Sequence, residues 1–315
     1  MIPSLDLSVT HETAYSYEPR VESAHHLGYL RPLEDAAQSV DMFELSVAPT
    51  PSYHINDRDC YGNGRFFFSL YTPHSSLCVR SESRVHVEAR FEGLDFDGGP
   101  AWEAVREALH YSADAVWLPE TEFVFASPFV PMLRELRDYA SESFTPGRPL
   151  RAAALELMHR IHADFNYETA STDVSTPLIE AFRERHGVCQ DFAHITVGCL
   201  RSLGLAARYV SGYLLTQPPE GQERLLGADA SHAWASVFCT ATETNGGWID
   251  FDPTNDVVPG TAHVTLARGR DYGDVAPLRG IIRGGGEHIL EVAVSVVPLD
   301  PAPTSGSGAA PFAQG

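Results

Sequence analysis

The chain has 315 residues, 43% of them hydrophobic and 20% charged, which is enough for one or two domains and at least one large core. Forty-two acidic residues against twenty-two basic ones give a formal charge of −20. That charge repels nucleic-acid backbones and anionic membrane surfaces over most of the protein, so neither is expected as a partner.

The N-terminus, Met1-Ile2-Pro3-Ser4-Leu5-Asp6, shows no basic cluster followed by an apolar core, and no later segment has the apolar length of a membrane span. Cytoplasmic residence is the resulting expectation. From Leu5 to about Gly93 the sequence alternates as strands do, most clearly over Leu5–Thr10, Phe43–Val47, Arg65–Leu70 and Val85–Ala89, with breakers at Pro49, Pro51, Gly62-Asn63-Gly64 and Pro73-His74. Residues 1–98 are therefore expected to form a β-rich domain. His25 and His26 are adjacent, so on a strand they point to opposite faces, and a structural role suits them better than metal binding.

Composition changes after Gly98-Gly99-Pro100. Ala101–His110, Pro131–Ser141 and Arg151–Phe165 have helical spacing, and 99–150 reads as a helical connector. His159 and His162 stand at i and i+3, a metal-clamping spacing, yet no further ligand follows and a half-exposed helix face accounts for them. The core is expected over 151–299, including a strong C-terminal strand at Ile289–Val297, with a Pro/Gly/Ser/Ala tail at 300–315 expected to be disordered. Within the core, polar loops at Glu168–Pro177 and Gln217–Asp229 could shape a cleft.

The chemistry centres on Gly187-Val188-Cys189-Gln190-Asp191-Phe192-Ala193-His194. Cys189 opens a predicted helix whose residues Phe192, Ile195, Cys199, Leu200 and Leu203 share one face before Gly204 stops it. A helix N-terminus favours thiolate over thiol, and its free N–H groups can receive an oxyanion. The other cysteines, at 60, 78, 199 and 239, show no C-x-x-C pair or regular spacing, and Cys189 and Cys199 would lie about 15 Å apart on one helix, so the set reads as reduced. A predicted strand follows over Ala206–Leu215.

Two later segments answer the thiol. His232 begins an apolar strand in Ser231-His232-Ala233-Trp234, and Asp252 ends the next one in Trp248-Ile249-Asp250-Phe251-Asp252-Pro253, after the turn residues Asn245-Gly246. In an antiparallel hairpin, facing residues share a side of the sheet, and 232 and 252 have matching parity. If 232 faces 252, 236 faces 248; a shift of one pair leaves the two as diagonal neighbours, still within reach of a hydrogen bond. Asp250 shares that parity, but a strand end beside proline puts Asp252 where a cleft can open. Cysteine, histidine and aspartate in this order suit acyl transfer: the thiolate attacks an amide carbonyl, the imidazole moves the proton, and the carboxylate orients the ring.

These segments, with Leu203-Gly204-Leu205-Ala206-Ala207-Arg208-Tyr209-Val210-Ser211-Gly212-Tyr213 and Trp248 to Asn255, resemble the bacterial transglutaminase-like family from about Arg151 to Leu266. The β-rich first part, with Asp59-Cys60-Tyr61-Gly62-Asn63, resembles the N-terminal domain that precedes that core. The resemblance implies an α+β fold: an N-terminal all-β domain, then a papain-like transglutaminase core in which the cysteine-bearing helix packs on an antiparallel sheet. It matches Cys189, His232 and Asp252 to the family's nucleophile, base and orienting acid. It implies cysteine-dependent acyl transfer or hydrolysis at glutamine side chains or peptide bonds, on a protein or peptide substrate with water or a primary amine as acceptor. A cysteine protease of the same fold and a catalytically silent binding or scaffold protein are the alternatives. No cofactor or metal is expected; animal transglutaminases need calcium, but no loop at EF-hand spacing occurs here. Tyr167, Trp234 and Trp248 are the candidates for an aromatic oxyanion donor, with core packing as their other reading.

Overall fold

The alternating first part of the chain forms an antiparallel sheet in the computed structural model, which describes residues 4–110, 113, 118–168, 176–216, 231–240 and 244–299. Its strands are β1 (Ser4–Gly28), β2 (Gln38–Ala48), β3 (Tyr53–Arg58), β4 (Gly64–Leu70) and β5 (His74–Glu88), in the order β2-β5-β1-β4-β3. Along β1 the side chains alternate, so Leu7, Val9, His11 and Thr13 are all buried on one face.

The connector supplies α1 (Trp102–Ala108) and α2 (Arg134–Ser141). Next come α3 (Leu150–Asp164), the two-residue β6 (Asn166–Tyr167), α4 (Leu178–Glu184), β7 (His186–Gly187) and α5 (Cys189–Ser202). A second antiparallel sheet then runs β10-β9-β8-β11 from β8 (Ala207–Leu214), β9 (Ser231–Phe238), β10 (Trp248–Phe251) and β11 (His263–Gly269). The short α6 (Tyr272–Val275) leads to β12 (Leu278–Gly284) and β13 (Glu287–Pro298). This is the α+β arrangement expected.

The helix that opens on Cys189 is the centre of the core. The face predicted to be apolar is buried, with Phe192, Ile195, Cys199, Leu200 and Leu203 packed among Leu136, Leu157, Ile161, Val237 and Ile249. The opposite side is buried as well, and its arginine is satisfied by carbonyls. Arg201 is fully buried and donates from Nε and Nη2 to the Ala207 carbonyl at 2.9 and 2.8 Å, and from Nη2 to that of Arg270 at 2.7 Å.

One expectation is corrected. The last strand was placed with the core, but β13 pairs with β1 in the first sheet, from Leu7↔Pro298 to Glu18↔Glu287. β12 also joins β1, from Val21↔Gly284 to Gly28↔Leu278. Hydrophobic alternation specifies a strand and its buried face but not its partner. Here Val294 and Val296 find theirs among Leu7, Val9, Val85 and Val87, and the same cluster takes in Tyr213, Val264 and Leu266 from the second sheet.

Two side-chain amides complete the joint between the sheets at the edge of β11. Gln38 accepts from Thr265 N at 2.8 Å and donates to Thr265 O at 2.7 Å. Asn63 accepts from Arg268 N and donates to Arg268 O, both at 2.8 Å. Each amide takes the place of a neighbouring strand at an edge that pairs only with β8. No described helix is long and apolar enough to cross a membrane. Most of the two predicted cleft loops, together with the predicted tail, lies outside the described residues.

Candidate active site

Cys189 owes its position to the start of α5. Val188 is extended at the N-cap, and the Asp191 carboxylate at the third helical position accepts its N–H at 2.8 Å. That bond satisfies one backbone donor of the helix entry. Gly187 makes it possible, because a Cβ there would sit 2.6 Å from Asp191 Oδ2. The amides of Cys189 and Gln190 open the first turn, where an α-helix has no internal acceptor for them.

His232 and Asp252 arrive from the hairpin in the shifted of the two registers considered from the sequence. Phe251 pairs with Ala235 and Asp250 with Ser236, so β10 ends one residue before Asp252 and the two side chains meet as diagonal neighbours. His232 Nε2 donates to Asp252 Oδ2 at 2.8 Å. Nδ1 is the ring nitrogen left over, and Cys189, which lines the same cleft, acts on the ring as well. Burial disfavours the imidazolium, but the bonds to Asp252 and Cys189 outweigh it, and the pKa of His232 is pushed up from 6.5 to about 10.

Asp252 is fully buried behind the imidazole and does not line the cleft. A turn closed by Asp252 N to Val257 O at 2.9 Å and Val257 N to Asp252 O at 3.2 Å wraps the carboxylate in donors. Oδ1 accepts the amides of Thr254 at 3.1 Å and Asn255 at 3.3 Å. Oδ2 accepts Asn255 Nδ2 at 2.8 Å and His263 Nε2 at 3.1 Å in addition to His232. Burial works to raise the carboxyl pKa, but its bonds to His232 and His263 prevail and hold it well below the usual carboxylate range. Asp250 takes a different partner, accepting Trp234 Nε1 at 3.3 Å.

A cleft of about 270 Å³ lies over these groups, lined by Tyr167, Cys189, Leu214, Thr216, Ser231, His232, Thr254 and Asn255. Among the three aromatic candidates, Tyr167 is the one on this cleft. It is half-exposed, and β6 pairs in parallel with β7 so that Tyr167 lies beside Gly187, two residues before Cys189. Burial, then the charge of Cys189, raises its pKa, so the phenol keeps its proton as a donor. Trp234 is buried against His232 and His263, and Trp248 is buried beneath the Arg208 guanidinium.

Sequence reasoning missed Asn255 and His263. Asn255 was within the quoted motif, and its place three residues after an aspartate in a turn is the signal that could have found it. His263 opens an alternating run, His263-Val264-Thr265-Leu266, that reads as a strand but says nothing of Asp252. His159 and His162 each reach the turn after Asp252. His159 Nδ1 bonds the Asp256 carboxylate, and His162 Nδ1 lies 3.1 Å from the carbonyls of Pro253 and Thr254, so α3 grips the turn that carries Asp252.

Comparisons with known proteins agree with this architecture. Residues 137–253 match the model of the transglutaminase-like superfamily, and residues 7–86 that of the bacterial transglutaminase-like N-terminal region. An uncharacterized protein of Mycobacterium tuberculosis is 41% identical over 296 residues, covering 93% of this chain and 92% of that protein. One of Mycobacterium leprae is 30% identical over 297 residues, covering 93% and 99%. A crystal structure from Cytophaga hutchinsonii, provisionally assigned as a cysteine protease, superposes with a TM-score of 0.72 at 20% identity, covering 95% of this chain and 92% of that one.

Proposed function

The chain belongs to the transglutaminase-like superfamily, with its bacterial N-terminal region, and from that premise we propose that it is a cysteine-dependent acyltransferase or hydrolase acting on amides. One observation carries the reading. Cys189 at a helix N-terminus shares a cleft with His232, whose far nitrogen is held 2.8 Å from the buried carboxylate of Asp252.

The reaction follows from those positions. The Cys189 thiolate attacks the carbonyl carbon of a glutamine side chain or peptide bond, and the π pair moves to oxygen. The amides that open α5 and the Tyr167 hydroxyl are the donors at hand for that oxyanion. As the tetrahedral intermediate collapses, the C–N bond breaks and His232 Nδ1–H protonates the departing nitrogen, leaving a thioester on Cys189. Water or a primary amine then attacks the thioester, His232 Nδ1 takes the proton, and the thiolate leaves. Asp252 keeps Nε2 protonated and the ring turned toward Cys189 throughout.

The experiment incubates the protein with glutamine-containing peptides, with and without a primary amine, and reads the products by mass spectrometry. An amine adduct at glutamine is transfer, deamidated glutamine or a cut backbone is hydrolysis, and Cys189→Ala is expected to abolish all three. Full activity in Cys189→Ala would sink the mechanism.

A further inference from the structure

We propose that His263 is a positioning residue that fixes Asp252 against His232, and that the N-terminal domain sets its place through β11. The inference rests on the function proposed above and adds to Cys189, His232 and Asp252 a fourth, buried residue, from β11.

Asp252 Oδ2 must accept from His232 along one direction for the imidazole to face Cys189. His263 Nε2, at 3.1 Å, and Asn255 Nδ2, at 2.8 Å, occupy the remaining approaches to that oxygen. An ionised carboxylate only accepts, so His263 donates through Nε2–H, and its ring orientation is fixed in turn by the edge-on face of Trp234, 5.3 Å between centroids. His263 is buried, and its Nδ1 has no hydrogen-bond partner among the described residues, so the bond to Asp252 is what the ring is held for. His232 Nε2, Asp252 Oδ2 and His263 Nε2 lie within 4.8 Å of one another, a spacing that can also suit a metal ion. The Asn255 N–H aimed at the same oxygen occupies a cation's approach, and the arrangement is three donors about one acceptor.

The position of His263 is set from outside the core. β11 is the edge of its sheet, and the amides of Gln38 and Asn63 grip it at Thr265 and Arg268, the first only two residues from His263. Among the described residues, the titratable groups about Asp252 are His232 from β9, His263 from β11 and, across His232, Cys189 from α5; from α3, His162 meets the carbonyls of Pro253 and Thr254, and His159 pairs with Asp256.

The test reads alkylation of Cys189 by iodoacetamide across pH in the full-length protein, with exposed Cys60 as the ordinary thiol in the same sample. His263→Met removes the donor and His263→Gln, of the same shape, restores it. With the donor gone the Asp252 carboxylate is free to turn from His232, and the imidazolium that pairs with the thiolate loses support, so His263→Met is expected to lower the rate about tenfold and to move the acid limb of the profile up by about one pH unit. His263→Gln is expected to recover both, which a general loss of packing would not allow. A profile in His263→Met unchanged from wild type, or a Gln variant as impaired as the Met variant, overturns the proposal. Should His263→Met fail to fold, imidazole-labelled wild-type protein decides by NMR: the His263 ring must carry its proton on Nε2, and the opposite tautomer overturns the inference. Cys189 reacting no faster than Cys60 in wild type would refute the proposed function instead. A fast Cys189 that needs His232 and ignores His263 refutes this inference alone.

Discussion

At the scale of single residues, the place of Cys189 at the start of α5 depends on a side chain that does not line the cleft. The Asp191 carboxylate ties Val188 N to the first turn, and it can do so only because Gly187 has no Cβ. Gly187→Ala is therefore expected to push Asp191 away, costing about 1–2 kcal/mol of stability for the lost cap and slowing alkylation of Cys189. Denaturant unfolding and the alkylation rate check the two halves separately; an alanine variant with wild-type values in both would show that the cap is not needed. His194, five residues along α5, is a buried group of another kind. It accepts Tyr272 N at 3.1 Å and stacks on Phe129, and burial, then the charge of Arg201, pushes its pKa down to about 3, so it serves packing as a neutral ring.

At the scale of elements, α3 reaches the turn after Asp252 and β11 reaches Asp252 itself, and neither contact was legible in the sequence. His162 of α3 reaches the carbonyls of Pro253 and Thr254, so His162→Ala is expected to lower amide turnover severalfold while changing the unfolding free energy by less than about 1 kcal/mol. Parallel measurement of turnover and denaturant midpoint checks it, and an equal loss in both would assign His162 to stability alone. What could be read was local. The helix opening on Cys189 followed from the Gly-Val turn before it and 3.6-residue spacing, and the placing of 232 and 252 on one side of the sheet followed from strand parity. The register within that parity turned on the 252–257 turn, which ends β10 at Phe251. His263 was beyond reach because its contact with Asp252 exists only once β11 lies beside β8, and the residues that hold the other edge of β11, Gln38 and Asn63, stand more than two hundred positions earlier.

For the whole molecule, the buried histidines set the pH range in which the fold holds. Burial pushes His11 and His26 down to about 4 and, foremost among its causes, His194 to about 3, so below the ordinary value of 6.5 the unfolded chain takes up protons that the folded one refuses. Their contribution is complete above 6.5 and is lost as pH falls toward about 4; that of Asp252, whose carboxyl is depressed from 3.8, persists through this range and is lost only at more acid pH. His232 acts in the other direction: raised to about 10, it stabilises fully below 6.5, and its share fades as pH rises through about 10. Stability is expected to peak near neutrality and to fall by several kcal/mol between about pH 7 and pH 4. Urea unfolding across that range measures it, and a flat curve would show that these histidines titrate freely in the fold. The pairing of β1 with β13 bears on how the molecule is made. The first strand of the chain lies against nearly the last, with Leu7 opposite Pro298 and Leu299 N bonded to Asp6 O at 2.8 Å. During synthesis β1 can take β5 on one side early, but it gains β13 on the other only after residues 287–298 have emerged, so that ladder spans a long stretch of intervening chain and is slow to form.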